Sequence, residues 1–191
     1  MLNLRTWSPL LCSTLLAACG GSTSSLSSEL PGHWASATCE PAGAAGFLHR
    51  DFVIEPDRYQ VTLDVFADDA CSARLLTAQV SGPLQIGEAS TVVDGATEVN
   101  YVMTKRVLIP RQQPIVDALT AQCPGPSWAI DQEGDITVAG CAAFGFEPNP
   151  PCAQEMDLNH ISGEELYFGD RSASLCAARP GKLGAIPVKR R

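Results

Sequence analysis

The sequence has no uninterrupted apolar run of the roughly 20 residues that a membrane-spanning helix needs, which excludes a polytopic helical membrane protein. It is poor in positive charge. There are 13 Lys and Arg against 21 Asp and Glu, a net charge of -8. That balance argues against nucleic acid as a partner, because phosphate contacts need clustered cations. Charged residues make up only 18% and hydrophobic residues 45%, which excludes a disordered, solvating chain. The motifs of common enzymes are missing. There is no Gly-x-Ser-x-Gly elbow, no His-Glu-x-x-His and no phosphate-binding Gly-rich loop, so the chain reads as non-enzymatic. Cys-x-x-Cys spacing is missing too, which removes the usual zinc and redox motifs. Only His33, His49 and His160 are present, none at His-x-x-x-His spacing, so neither a metal nor another cofactor is expected.

What the chain does have is eight cysteines in 191 residues, a length that gives one domain with a real core or at most two small ones. The first two belong to targeting. Arg5 precedes a short apolar stretch carrying Leu10, Leu11, Leu15 and Leu16, the layout of a secretory leader. The stretch ends in Leu16-Ala17-Ala18-Cys19-Gly20, which resembles the bacterial lipobox. In a lipobox the cysteine becomes the acylated mature N-terminus, so Cys19 is the expected lipidation site and Cys12 leaves with the leader. Gly20 at the following position, rather than Asp, favours the outer membrane of a Gram-negative host, facing the periplasm. Several acyl chains, each methylene contributing about 0.8 kcal/mol on burial, hold a soluble domain on a membrane surface. Residues 1–18 are therefore read as signal peptide and 19–30, rich in Gly, Ser and Thr, as a flexible tether.

Six cysteines remain: Cys39, Cys71, Cys123, Cys141, Cys152 and Cys176. An even number in an oxidising compartment implies disulfides, with 15 possible pairings. Sequence-nearest pairing is expected, joining Cys39 to Cys71, Cys123 to Cys141 and Cys152 to Cys176.

The body, 31–179, reads as β-sheet. Strands are expected over Trp34–Glu40, Phe47–Ile54 and Tyr59–Phe66. In the last, Tyr59, Val61, Leu63 and Val65 alternate with Gln60, Thr62 and Asp64, the period of a half-buried strand. Leu75–Ile86 follows, with a bulge or bend expected at Gly82-Pro83. Thr97–Ile109 alternates through Val99, Tyr101 and Met103. One helix is expected from Pro114 to Gln122, stopped by Pro124-Gly125. Ser127–Ile130 comes next, then a turn to Gly134 and a returning strand over Ile136–Cys141. Asp157–Ile161 and Glu165–Gly169 form a final hairpin. The basic tail, 180–191, is expected to be loosely held. About eight short strands and one helix fit a closed antiparallel barrel or a sandwich.

Several segments are similar to one known family. Gly32-His33-Trp34-Ala35-Ser36-Ala37-Thr38-Cys39-Glu40 resembles the opening of the domain in the adenomatosis polyposis coli down-regulated family. The likeness continues in Phe47-Leu48-His49-Arg50-Asp51-Phe52, Asp69-Ala70-Cys71, Val80-Ser81-Gly82-Pro83-Leu84-Gln85-Ile86-Gly87 and Gly95-Ala96-Thr97-Glu98-Val99. It returns in Ser127-Trp128, Asp135-Ile136-Thr137, Gly140-Cys141 and Leu166-Tyr167-Phe168-Gly169. The resemblance implies a lipocalin-like antiparallel β-barrel with a hydrophobic pocket, disulfide-stapled. Animal members are cell-surface Wnt inhibitors with two such domains beside a transmembrane segment. Here one domain's worth of residues follows a lipid anchor, so what carries over is the barrel and its capacity for an acyl chain. The Gly-x-Trp start also resembles lipocalins, in which the Trp closes the barrel floor.

The candidate ligand-binding residues are the apolar strand positions Trp34, Phe52, Val61, Leu63, Val65, Val80, Val99, Tyr101 and Met103. Each is also a plausible core residue, and Trp34 reads first as the barrel-closing one. Arg50 is expected to pair with Asp64 or Glu40, or to meet an anionic head group at the mouth. The acidic groups Asp131, Glu133, Asp135 and Glu164, Glu165, Asp170 read as solvated turns. The expected function is a monomeric lipoprotein binding a hydrophobic or acylated ligand. A solid barrel docking an envelope partner is the alternative, and a hydrolase with residues meeting only in space is a third.

Overall fold

The alternating segment around Val61 forms a strand, and its register carries through the whole sheet. The computed structural model describes residues 26–191. The leader with Cys12, the lipidation residue Cys19 and most of the expected tether lie outside the described residues. Eleven strands follow in chain order: β1 (Gly32–Ser36), β2 (Glu40–Pro41), β3 (Phe47–Ile54), β4 (Arg58–Phe66), β5 (Arg74–Ala89), β6 (Thr97–Val102), β7 (Lys105–Pro110), β8 (Gly134–Asp135), β9 (Gln154–Ser162), β10 (Glu165–Phe168) and β11 (Val188–Arg190). Helix α1 (Leu26–Glu29) precedes β1, and α2 (Gln113–Gln122) lies between β7 and β8.

Hydrogen-bonded neighbours run β1, β3, β4, β5, β6, β9, β10, β11 and back to β1, every pair antiparallel. This is a closed eight-stranded barrel, mainly β, as the alternation and the resemblance led us to expect. Closure leaves no open edge among these eight strands. The 16-residue β5 is shared: its first part pairs with β4 and β7, its second with β6. The hand-over falls at Gly82, where an added Cβ would sit 1.9 Å from the Val102 carbonyl oxygen. Gly82-Pro83 therefore does not interrupt the strand. It marks the change of partner, and the register irregularities fall at Val65/Phe66 and Ile86/Ala89 instead. The continuous strand expected over Thr97–Ile109 is likewise split at Met103-Thr104 into β6 and β7.

Four further expectations need correction. The first strand stops at Ser36, and the chain turns so that Cys39 can reach Cys71 before β2 forms. The strand expected over Ile136–Cys141 is replaced by the short β8. There the Asp135 carboxylate accepts the Thr137 N–H at 2.7 Å and turns the chain. The end of the expected tether is structured, with Leu26 and Leu30 buried in the core. The tail is not loose: β11 closes the barrel between β1 and β10, with Val188 fully buried. Three ion pairs help to hold it, Lys182 to Asp170 at 3.5 Å, Lys189 to Glu165 at 3.5 Å and Arg190 to Glu164 at 3.8 Å. The acidic hairpin read as merely solvated is thus the tail's partner.

The three disulfides join Cys39 to Cys71, Cys123 to Cys141 and Cys152 to Cys176. The pairing registers put α1, the turns at 55–57, 90–96 and 163–164, and the C-terminus at one end of the barrel. All three disulfides and the longer connections lie at the other end. At the sealed end Trp34 is fully buried. Its Nε1 donates to the Leu30 carbonyl at 2.8 Å, and the Arg190 guanidinium lies 4.1 Å from its ring. A second apolar cluster, built from Leu76, Leu108, Leu119 and Ile136, holds α2 against the barrel wall. Pro114 occupies the first turn of that helix.

Candidate ligand cavity

Residues opposite one another in an antiparallel pair point to the same face. Trp34 faces Phe52, Phe52 faces Val61, Val61 faces Val80 and Val80 faces Arg106, so five strands contribute one inward rung. Beside this rung lies a cavity of about 590 Å³, partly open to solvent. That size is in the range of small-ligand sites. Six of the nine expected ligand residues line it: Phe52, Val61, Leu63, Val80, Tyr101 and Met103. The rings of Phe52 and Phe168 stack with centroids 4.6 Å apart, and Tyr59 meets Tyr101 edge-on at 4.8 Å.

Three expected residues are not in the lining. Trp34 is held at the sealed end by Leu30 and Arg190. Val99 is fully buried between strands in the core. Val65 packs with the α2 cluster, because the inward rung at its level ends at Leu76 and Pro110 near that helix. Of the residues that were missed, Tyr59 and Phe168 had a signal, since both lie on segments already read as strands. The mouth-side loops had none. Phe144 to Glu147 and Arg171 to Cys176 reach the cavity only because Cys152 and Cys176 are bonded and the 103–153 excursion folds back.

Three guanidinium groups line the cavity. Arg50 Nη2 lies 3.0 Å from the Glu40 carboxylate, which also accepts the Ser36 hydroxyl at 2.5 Å. One of the two partners expected for Arg50 is therefore the right one; Asp64 pairs with Arg74 instead, at 3.4 Å. Arg171 bridges Glu155 at 2.8 Å and Asp157 at 2.9 Å. The Asp157 carboxyl is fully buried, and burial pushes it above the usual carboxylate range. Arg171 and the N–H groups of Leu158 and Gly169 oppose that rise. The third, Arg106, donates from Nη1 to the Glu147 carbonyl at 2.7 Å and from Nη2 to the Thr137 carbonyl at 2.6 Å. Burial raises the phenols of Tyr59 and Tyr101, so both stay neutral, and Tyr101 donates to Asn159 Oδ1 at 2.9 Å.

The remaining polar candidates disperse. His33 bonds Asp51 at 2.8 Å, and His160 Nδ1 lies 2.7 Å from the Gly95 carbonyl oxygen. His49 sits opposite Asp64 on the neighbouring strand, away from both. Asp131 pairs with Arg111 at 2.9 Å and Glu133 with Lys105 at 3.7 Å, so with Asp135 turned to Thr137 these carboxylates do not converge. Among the described residues, Glu147, Cys152 and Cys176 form the one group with metal-ligand proximity, and its two sulfurs are spent in a disulfide.

A family model described as adenomatosis polyposis coli down-regulated 1 matches residues 15–139. The chain belongs to that family. The match spans β1 to β8, and thus much of the cavity wall from Phe52 to Arg106. The strands beyond it, β9 to β11, complete the closed barrel of this family member.

Proposed function

We propose that this protein is a membrane-anchored, non-catalytic carrier whose barrel takes up a hydrophobic or acylated ligand. The observation that carries the reading is the cavity of about 590 Å³ with Phe52, Val61, Val80, Tyr101 and Met103 in its wall. A solid barrel would have filled that space with side chains. The carboxylates at the cavity are engaged, Glu155 by Arg171 and Glu147 by the Ser174 hydroxyl at 3.0 Å, which favours binding over acid–base chemistry. The lipobox at Leu16 to Cys19 supports an acylated N-terminus in the periplasmic leaflet of an outer membrane.

The described chain begins at α1, at the end of the barrel opposite the mouth. An anchor at Cys19 would therefore be joined to the sealed end. Residues 19–25 reach at most about 25 Å when extended. The sealed end then faces the bilayer and the mouth faces away from it, so cargo passes to or from a partner in the periplasm.

The test is uptake of the neutral dye Nile red by the anchor-free domain (residues 26–191), with native mass spectrometry of the protein purified from its host envelope. Saturable dye binding and a co-purified lipid-sized mass are expected. A folded domain that takes up neither would overturn the carrier reading and leave a scaffold that docks an envelope partner. Cys19→Ser should move the full-length protein from the membrane to the soluble fraction; unchanged membrane association would refute the anchor.

A further inference from the structure

Arg106 is the interior residue for which the fold offers no counter-charge. It ends a rung whose other members are Trp34, Phe52, Val61 and Val80, yet it is only 1% exposed. Its two terminal nitrogens donate to backbone carbonyls of Glu147 and Thr137. Its Nε has no acceptor among the described residues. No carboxylate among those residues lies within ion-pair distance of it, whereas Arg50 has one and Arg171 two. A buried guanidinium left without an anion is expensive, because desolvation is not offset by a nearby opposite charge.

The groups acting on Arg106 through space do not remove this deficit. Glu155 is already neutralised by Arg171. Tyr59 is neutral, since burial raises its phenol, and Asp135 is committed to Thr137. Desolvation accordingly pulls the Arg106 pKa below its ordinary value. Tyr59 shares the electrostatic neighbourhood and the cavity wall. A buried cation with a free N–H thus shares the wall of an apolar cavity with a phenol hydroxyl. An apolar chain alone would leave the Arg106 N–H unsatisfied.

We propose that Arg106, with Tyr59 as a second donor, receives the anionic head group of a single-chain amphiphile whose tail lies along Phe52, Val61, Val80 and Met103. This rests on the carrier reading and narrows it: the cargo is a free fatty acid or a single-chain phosphate, not a neutral acyl ester. A charge-assisted hydrogen bond in a desolvated site favours the anion over its neutral analogue by about ten- to a hundredfold.

The experiment is displacement of Nile red from the domain by dodecanoate, dodecyl phosphate and methyl dodecanoate. At least one anion should compete about tenfold or more better than the ester, and the better anion identifies the head group. Arg106→Gln, which keeps an amide donor but no charge, should abolish the preference; Arg106→Lys should retain part of it. Equal competition by all three ligands in the unmodified protein would overturn the role of Arg106 while leaving the carrier reading intact. Failure to bind Nile red at all would overturn the carrier reading itself. The comparison of anion with ester uses the unmodified protein, so it decides the matter even if Arg106→Gln does not fold.

Discussion

If β11 is a true barrel strand, weakening it should cost far more than a surface tail can. Val188→Ala removes two methylene equivalents from a fully buried site, about 1.6 kcal/mol by transfer alone and roughly 2 kcal/mol with the residual cavity. Arg190→Ala removes the contact with the Trp34 ring and the hydrogen bond from Nη2 to the Glu29 carbonyl at 2.6 Å. Ring stacking of a partly desolvated Arg contributes about 1–2 kcal/mol, and the bond ties the C-terminus to α1. The double variant should therefore lose about 3–4 kcal/mol, a large part of the roughly 5–15 kcal/mol that holds a domain of this kind. The exposed pair between Lys189 and Glu165 contributes little, so Lys189→Gln is the charge control and should stay within about 0.5 kcal/mol. Urea unfolding of the oxidised protein, followed by tryptophan fluorescence, reads the midpoints at constant slope. A double variant within about 0.5 kcal/mol of the parent would refute the closure argument and restore the loose tail.

Three other outcomes are expected. Gly82→Ala should destabilise the domain by about 1–3 kcal/mol in the same unfolding assay, because its Cβ meets the backbone oxygen of Val102 at the point where β5 changes partner. Val80→Trp should fill the cavity and lower Nile red affinity about tenfold or more while far-ultraviolet circular dichroism stays unchanged; full binding would mean the dye sits elsewhere. Asp68 accepts N–H groups from Ser72, Ala73 and Ala70 and the Ser72 hydroxyl, which holds its carboxyl below the usual range. A depressed folded pKa gives stability that is present above the unfolded value, about 4, and lost as pH falls through the folded one. Asp68→Asn should thus lower the melting temperature at neutral pH, with the gap narrowing below about pH 4; a gap independent of pH would contradict this.

Much of the barrel was legible because a half-buried strand writes its own period. Tyr59 to Phe66 and Phe47 to Ile54 alternate, and both are strands with the expected bounds to within a residue. The disulfides were legible for a related reason: short sequence separation favours contact between neighbouring elements, and all three nearest pairs form. β11 was not legible. Three residues, Val188-Lys189-Arg190, carry no period, and two of them are basic. Their strand exists because β1 and β10 each need a partner and because Glu164 and Glu165 face the cations. That is a tertiary cause. The short α1 is similar: its Gly/Ser-rich surroundings read as tether, yet Leu26 and Leu30 have an apolar end of the barrel to cover.

The cavity divides along the same line. Its apolar wall followed from alternation, since any inward position on β3, β4 or β5 was already on one face. Arg106 could not be read this way, because the break at Met103-Thr104 separates β6 from β7, so the period running through Val99, Tyr101 and Met103 does not carry across it. By alternation alone, the inward positions of β7 are Arg106, Leu108 and Pro110, opposite Val80, Ala78 and Leu76. A guanidinium thus enters a rung that is otherwise apolar. Its bonds to the Glu147 and Thr137 carbonyls tie that connection to the barrel, yet they bring no counter-charge, and a hydrophobic residue at 106 would close the rung at lower desolvation cost. A charge that apolar packing does not ask for, at the wall of the cavity, is the point at which the local pattern and the architecture disagree.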